Sequence, residues 1–304
     1  MSLAVVESSL RGSSLEQGNT TTDDGLAVMD DLPKDCIEAI ISHTSPWDAC
    51  RLACLNRTFA DVVRSDTLWG NLLPSDYARV YPQATALGSN REIVETLARG
   101  IPLDHGLERY LLLRRSGGVC RLLSVAAMTI AWGDDSRFWR WDFSRSSCFS
   151  RVAHLLAVCW LDVSGTWRCT LPPGTYSVVW RLKVANPQGG RFRFLSWKKP
   201  LRFVVTTAHD QVLEKDLDLG QVHINVFEEW FEFEVGQIVV HGLGREAKQL
   251  DVVYSIEEHD CSYWKGGLLL DCLALRPSSA QNELVYIKHP AVQTEKLRVR
   301  PGVF

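Results

Sequence analysis

The pattern of apolar and polar positions changes rhythm once along this chain, close to residue 118. Before it, apolar residues recur at three- and four-residue spacing; after it, they alternate or run in short blocks between turn residues. Leu32, Cys36, Ile37, Ile40 and Ile41 form the first helical stripe, with Asp31 placed to cap its start and Pro33 where a missing N–H costs nothing. A second helix is predicted to open at Ser45-Pro46-Trp47-Asp48, a capping Ser followed by Pro and an acid three residues after the cap. It continues through Ala49, Leu52, Ala53 and Leu55. A third opens near Thr58 and carries Phe59, Val62 and Val63, after which Ser65-Asp66 restarts the chain into Leu68 and Trp69. Helices this short bury a thin core and leave apolar surface over for a partner. Ile93, Val94, Leu97 and Ala98 stripe a further helix from Asn90, stopped by Gly100. Leu107–Leu113 is a short segment ending at Arg114-Arg115-Ser116-Gly117-Gly118, which reads as a hinge.

From Val119 onward the predicted elements are strands: 121–130, 155–163, 175–184, 192–197, 201–206, 223–226, 230–235, 249–255 and 268–275. Pro172-Pro173-Gly174, Asn186-Pro187 and Gly189-Gly190 punctuate them, and Gly242-Leu243-Gly244 reads as a hairpin turn. Phe231, Phe233 and Val235 alternate with Glu232 and Glu234, the period of an antiparallel sheet with one buried face. The expected class is α+β and multidomain: a small three-helix unit, then an antiparallel β-sandwich. The stretch 149–156 fits either a strand or a short helix. The organisation expected is a polar leader over 1–28, the helical unit over 29–76, a helical linker over 77–117, the sandwich over 118–284 and a basic tail over 285–304.

Bulk properties narrow the function classes. With 46% hydrophobic and 23% charged residues the 304-residue chain has ordinary globular composition, enough for about two domains. A net charge of −3 supplies no field to attract nucleic acid or an anionic membrane. The nine cysteines, at 36, 50, 54, 120, 148, 159, 169, 261 and 272, include no C-x-x-C pair, so no zinc or thioredoxin-like site is expected. Buried, reduced thiols of a nuclear or cytosolic protein fit the pattern, and neither a signal peptide nor an apolar run long enough to span a bilayer is read. No G-x-S-x-G or H-E-x-x-H motif occurs, so no catalytic site and no cofactor are expected.

Two clusters carry recognition chemistry. Trp132, Phe138, Trp139 and Trp141 crowd around Gly133-Asp134-Asp135-Ser136, a turn-forming stretch. An indole held at a loop edge beside carboxylates and a hydroxyl suits a sugar, whose C–H face stacks on the ring; the same residues equally suit a sandwich core. The stretch from Arg191 interleaves basic and aromatic residues, as a single-strand nucleic-acid platform or a strand with one basic face would, and the latter is the better fit. His259-Asp260-Cys261 lacks a matching ligand set and reads as a turn.

The helical block, with Leu32-Pro33, the Ile-Ile pair, Ser45-Pro46-x-Asp48, Arg51-Leu52-Ala53-Cys54-x-Asn56-Arg57-x-Phe59 and Ser65-Asp66-x-Leu68-Trp69, resembles an F-box. That resemblance implies docking to a Skp-type adaptor, and through it to cullin and a RING protein, by Leu32, Pro33, Ile37, Ile40, Ile41, Pro46, Leu52, Leu55, Phe59, Leu68 and Trp69. The later blocks I-A-W-G-D-D-S-R-F-W-R-W, R-V-A-H-L-L-A-V-C-W-L-D-V-S-G, W-F-E-F-E-V-G and L-L-L-D-C-L-A-L-R-P resemble the phloem protein 2 family, which includes the tobacco-type lectin. The resemblance implies a carbohydrate site for N-acetylglucosamine-containing glycans at Trp132 and Trp139, with Glu232 and Glu234 accepting from hydroxyls. His154 stands where the family often has an acid, and Gln237-Ile238 replace an acid and an aromatic, so sugar preference departs from the pattern. Together they imply a non-catalytic substrate receptor of an SCF-type ubiquitin ligase, located in nucleus and cytoplasm; the alternative is a lectin-like or protein-binding module without that role.

Overall fold

The computed structural model describes residues 32–185, 197–208, 211–221 and 229–280. Four short helices come first: α1 (Lys34–Ile41), α2 (Pro46–Leu52), α3 (Arg57–Val63) and α4 (Asp66–Leu72). Their starts follow from side-chain caps. Ser45 Oγ accepts from the Asp48 N–H and Asn56 Oδ1 from the Phe59 N–H, each satisfying a donor the helix leaves unpaired. Pro33 is itself the cap residue of α1, and Asp31 lies outside the described residues. A short α5 (Tyr77–Val80) and a 3₁₀ turn lead to α6 (Asn90–Arg99), capped by Ser89 and ended by Gly100 at φ +83°.

The strands follow in chain order. They are β1 (Ile101–Leu103), β2 (Glu108–Leu112), β3 (Val119–Ser124), β4 (Thr129–Ile130), β5 (Trp139–Asp142), β6 (Val152–Leu155) and β7 (Leu161–Leu171). After them come β8 (Gly174–Val184), β9 (Leu201–Thr207), β10 (Val212–Leu217), β11 (Trp230–Val240), β12 (Lys248–Glu258) and β13 (Leu268–Pro277). Two antiparallel sheets form. In the larger, β13 pairs with β3 and β6 along one side and β8 along the other; β1 and β2 extend it beyond β3, β5 beyond β6, and β11 beyond β8. The smaller has the order β10-β9-β12-β7-β4. Trp180 of the larger sheet meets Phe203 and Tyr254 of the smaller at ring-centroid distances of 6.0 and 5.8 Å, in the centre of the sandwich.

Several expectations change here. The segment 77–117 is not wholly helical, because β1 and β2 add two strands to the larger sheet. Gly117, at φ +69°, and Gly118 make the tight β2–β3 turn, closed by Gly117 N–H to Leu113 and Leu113 N–H to Gly118, and are not a hinge. The run 121–130 breaks at a 3₁₀ turn after β3 and restarts as β4 in the other sheet. The ambiguous stretch 149–156 contains a strand, β6. The predicted strands at 223–226 and over most of 192–197 lie outside the described residues, as do the leader and the tail.

One apolar core runs from Ile37 and Leu68 in the helices to Leu273 in β13, so the helical unit packs onto the sandwich. Polar contacts reinforce this seam. Tyr110 of β2 donates to buried Asp76 at 2.8 Å, and burial followed by the Asp76 carboxylate drives the phenol far above its ordinary pKa. From the β11–β12 hairpin, Arg245 donates to Asn71 O at 2.7 Å, while Ser75 Oγ donates to Arg245 O. The outer face of the larger sheet is sealed by segment 143–151, where Cys148 and Phe149 join Leu122 and Val179 in a second core. There Asp271, completely buried, is paired with Arg181 and accepts from Ser147.

Candidate functional site

Among the described residues, exposed apolar side chains cluster on the helical unit and at an end of the sandwich. On α1, Ile37 and Ile41 are four residues apart and both point inward, fully buried. Ile40 is rotated about 100° from Ile41 around the helix and emerges 44% exposed. Pro33 is exposed, Leu32 and Leu52 are half-buried, and Leu55 is 68% exposed. Pro46, Phe59, Leu68 and Trp69 are interior, and Trp69 Nε1 donates to Val63 O at 2.8 Å. Of the eleven residues expected to meet an adaptor, Ile37, Ile41, Pro46, Phe59, Leu68 and Trp69 are therefore core that shapes the surface. The other five form it. Trp47, 46% exposed beneath the Arg115 guanidinium, belongs with them and was missed because its place just after Pro46 read as a helix start.

At the sandwich end, the chain leaving β4 turns sharply: Gly133 N–H donates to Ile130 O and Asp135 N–H to Trp132 O. Trp132 sits in the left-handed region at φ +63°, a conformation rare for a bulky residue, and its side chain is 61% exposed. The two indoles that follow hold the turn from behind. Trp139 Nε1 donates to Ala131 O and Trp141 Nε1 to Gly133 O, each at 3.1 Å. Trp139 itself is 1% exposed, so the expected pair divides into a presented ring and a buried support.

Other rings join Trp132. Phe138 lies 6.0 Å from it and 6.5 Å from Trp264, to which it is nearly parallel. The Val158–Lys265 bridge brings the chain before Trp160 beside the chain after Trp264; both indoles are exposed, and Trp160 stacks on His259 at 3.9 Å. His259 Nε2 lies 3.2 Å from an Asp162 carboxylate oxygen. On the rim, Lys199 pairs with Asp260 at 2.8 Å and holds its carboxyl far below the usual range; Arg137 does the same, more mildly, to Asp135. Trp160 and Trp264 carried a signal like that of Trp132, an indole at a strand end, but their sequence neighbours show no Gly-Asp-Asp stretch.

Glu232 and Glu234 are not beside this row. They lie on β11, separated from β5 within the same sheet by β6, β13 and β8, so four strand spacings put them roughly 19 Å away. Glu232 faces Arg181 across the β8–β11 ladder and pairs with Arg276 at 2.9 Å. The acidic strand thus meets the basic residues of β8, and the stretch beginning at Arg191 lies outside the described residues.

The family model of phloem protein 2 matches residues 118–277, over the strands just described, and that of the F-box domain matches residues 29–71. The chain belongs to the phloem protein 2 family. Its similarity to the F-box members of that family extends across both parts. It is 31% identical to F-box protein PP2-A15 of Arabidopsis thaliana, covering 88% of this chain and 94% of that protein. To F-box protein PP2-A11 of the same plant it is 30% identical, covering 84% and 91%. The helices α1 to α4 are accordingly an F-box, and the phloem protein 2 domain is the antiparallel sandwich that presents the aromatic row.

Proposed function

We propose that this phloem protein 2 chain recruits a target to a ubiquitin ligase of the SCF type in the nucleus and cytoplasm. The F-box docks a Skp-type adaptor, bringing cullin and RING protein, and the aromatic end of the sandwich holds the target, an N-acetylglucosamine-containing glycan or glycoprotein. The chain then contributes proximity: a bound target is held near the charged ubiquitin enzyme, so transfer becomes effectively intramolecular. The observation that carries this reading is the outward apolar set Pro33, Ile40, Trp47 and Leu55, on a unit whose Ile37, Ile41, Phe59, Leu68 and Trp69 are locked into a core shared with the sandwich. A surface left uncovered by its own fold, on a chain with an F-box match, suits a protein partner.

The test is co-purification of the full chain with adaptor and cullin. An Ile40→Ala, Leu55→Ala double variant is expected to lose about 2 kcal/mol or more of adaptor affinity with an unchanged thermal midpoint, since neither side chain is core. Wild-type recovery of adaptor by that variant would remove the docking assignment.

A further inference from the structure

The turn at His259-Asp260-Cys261 brings together two cysteines that are distant in sequence. Lys265 is fully buried, and its ammonium donates both to Cys159 O and, at 2.9 Å, to Asp260 O. One nitrogen bonded to two carbonyls keeps those oxygens within about 6 Å of each other, so the chain at 159 runs beside the chain at 260 and 261. The two hydrogen bonds of the Val158–Lys265 bridge, 2.8 and 2.9 Å long, fix the register. In that arrangement Cys261 lies beside Cys159, which is the leading influence on its thiol. Cys261 is exposed and Cys159 half-buried, whereas the neighbouring thiols Cys148 and Cys272 are sealed inside the outer core. The expectation of buried thiols fits Cys120, Cys148, Cys169 and Cys272, whereas Cys36, Cys50 and Cys54 on the F-box are exposed, as Cys261 is.

We propose that Cys159 and Cys261 form a redox-sensitive dithiol that closes to a disulfide in the presence of glutathione disulfide. In a reducing compartment a disulfide between accessible thiols is a transient, signalling bond and not a structural one. Cys261, the more accessible, loses its proton to solvent and attacks one sulfur of glutathione disulfide, releasing one glutathione thiolate. Cys159, deprotonated in turn, attacks the Cys261 sulfur of the mixed disulfide and expels the second glutathione. The protein is oxidised by two electrons and glutathione disulfide is reduced to two thiols. Cys159 holds the Cys261 thiol above the ordinary cysteine range, so its exchange at neutral pH is slow. The bond would pin both sides of the aromatic row, because Trp160 follows Cys159 while His259 and Trp264 flank Cys261.

The full chain, reduced and then incubated with glutathione disulfide, is alkylated and digested with trypsin without reductant. Cys159 falls in the peptide 152–168 and Cys261 in 249–265, each holding a single cysteine. The expected product is these two peptides joined, two hydrogens lighter than their sum and separated by dithiothreitol, together with a raised thermal midpoint. A Cys159→Ser variant is expected to stop at glutathione bound to Cys261. A wild-type protein in which Cys261 carries glutathione to the same extent as in the variant, with no joined peptide, overturns the proposal. So does an unreactive Cys261 under conditions that modify Cys36, Cys50 and Cys54. The joined peptide in wild type decides the matter even if the variant fails to fold.

Discussion

Trp132 shows how one residue can be held out of a core that needs its neighbours. Its ring is presented by a left-handed backbone that the indole N–H groups of Trp139 and Trp141 brace through carbonyls on either side. The two members of the Trp132/Trp139 pair should therefore fail differently. Trp132→Ala removes stacking area and is expected to lower retention on an N-acetylglucosamine oligomer while leaving the thermal midpoint near wild type, because surface changes stay within about 0.5 kcal/mol. Trp139→Ala empties a buried site and should cost about 3–5 kcal/mol of stability. Equal loss of stability in both variants would return Trp132 to the core, and wild-type protein that retains no oligomer would discard the glycan reading. At this scale the sequence was legible where chemistry is local: Gly133-Asp134-Asp135 announces a turn, and a turn presents a ring. It was not legible for Glu232 and Glu234, because a strand's alternation tells which way a carboxylate points and nothing of which strand lies beside it. Ile40 and Ile41 make the same point on a helix, where one residue of rotation separates exposed surface from core.

At the scale of elements, the helices and long strands followed from caps and periodicity, while short or mixed ones did not. α2 and α6 begin at the Ser residues that cap them, and β13 is the apolar block its sequence suggests, buried on both faces. β1 and β2 were hidden because three and five residues are too few to show a period beside a helix, and because Gly117-Gly118 serves equally as linker or turn. Their pairing onto β3 has a measurable consequence. A fragment starting at residue 101 retains the partner strand of β3, whereas one starting at residue 118 exposes the β3 edge and removes buried Tyr110, Leu111 and Leu112. The longer fragment is expected to show a β-type circular dichroism spectrum and one cooperative transition, and the shorter to melt earlier or aggregate. Equal midpoints would mean that β1 and β2 add nothing to the sandwich, and a mainly helical spectrum from either would contradict the architecture.

For the whole molecule, the decisive feature is that F-box and phloem protein 2 domain share a core. The proposed recruitment by proximity gains from a defined distance between adaptor and target, because a free joint would spread the target over a larger volume. Here the joint is filled with apolar side chains and crossed by Tyr110–Asp76 and by the Arg245 contacts from the far end of the β11–β12 hairpin. None of those partners is near the other in sequence, so nothing in the order of residues announced the seam. It predicts that the described chain unfolds as one unit, with helical and aromatic signals lost at the same temperature. Tyr110→Phe sharpens the test. The phenylalanine fills the same space but deprives buried Asp76 of its 2.8 Å donor, which should cost about 1–3 kcal/mol while leaving both domains folded. Because Asp76 lies at the helical side of the seam and Tyr110 on β2, a shared core lowers the midpoint of both signals together. Two separate transitions in wild type, or a variant in which only the helical signal moves, would show that the domains melt independently and that the seam does not couple them.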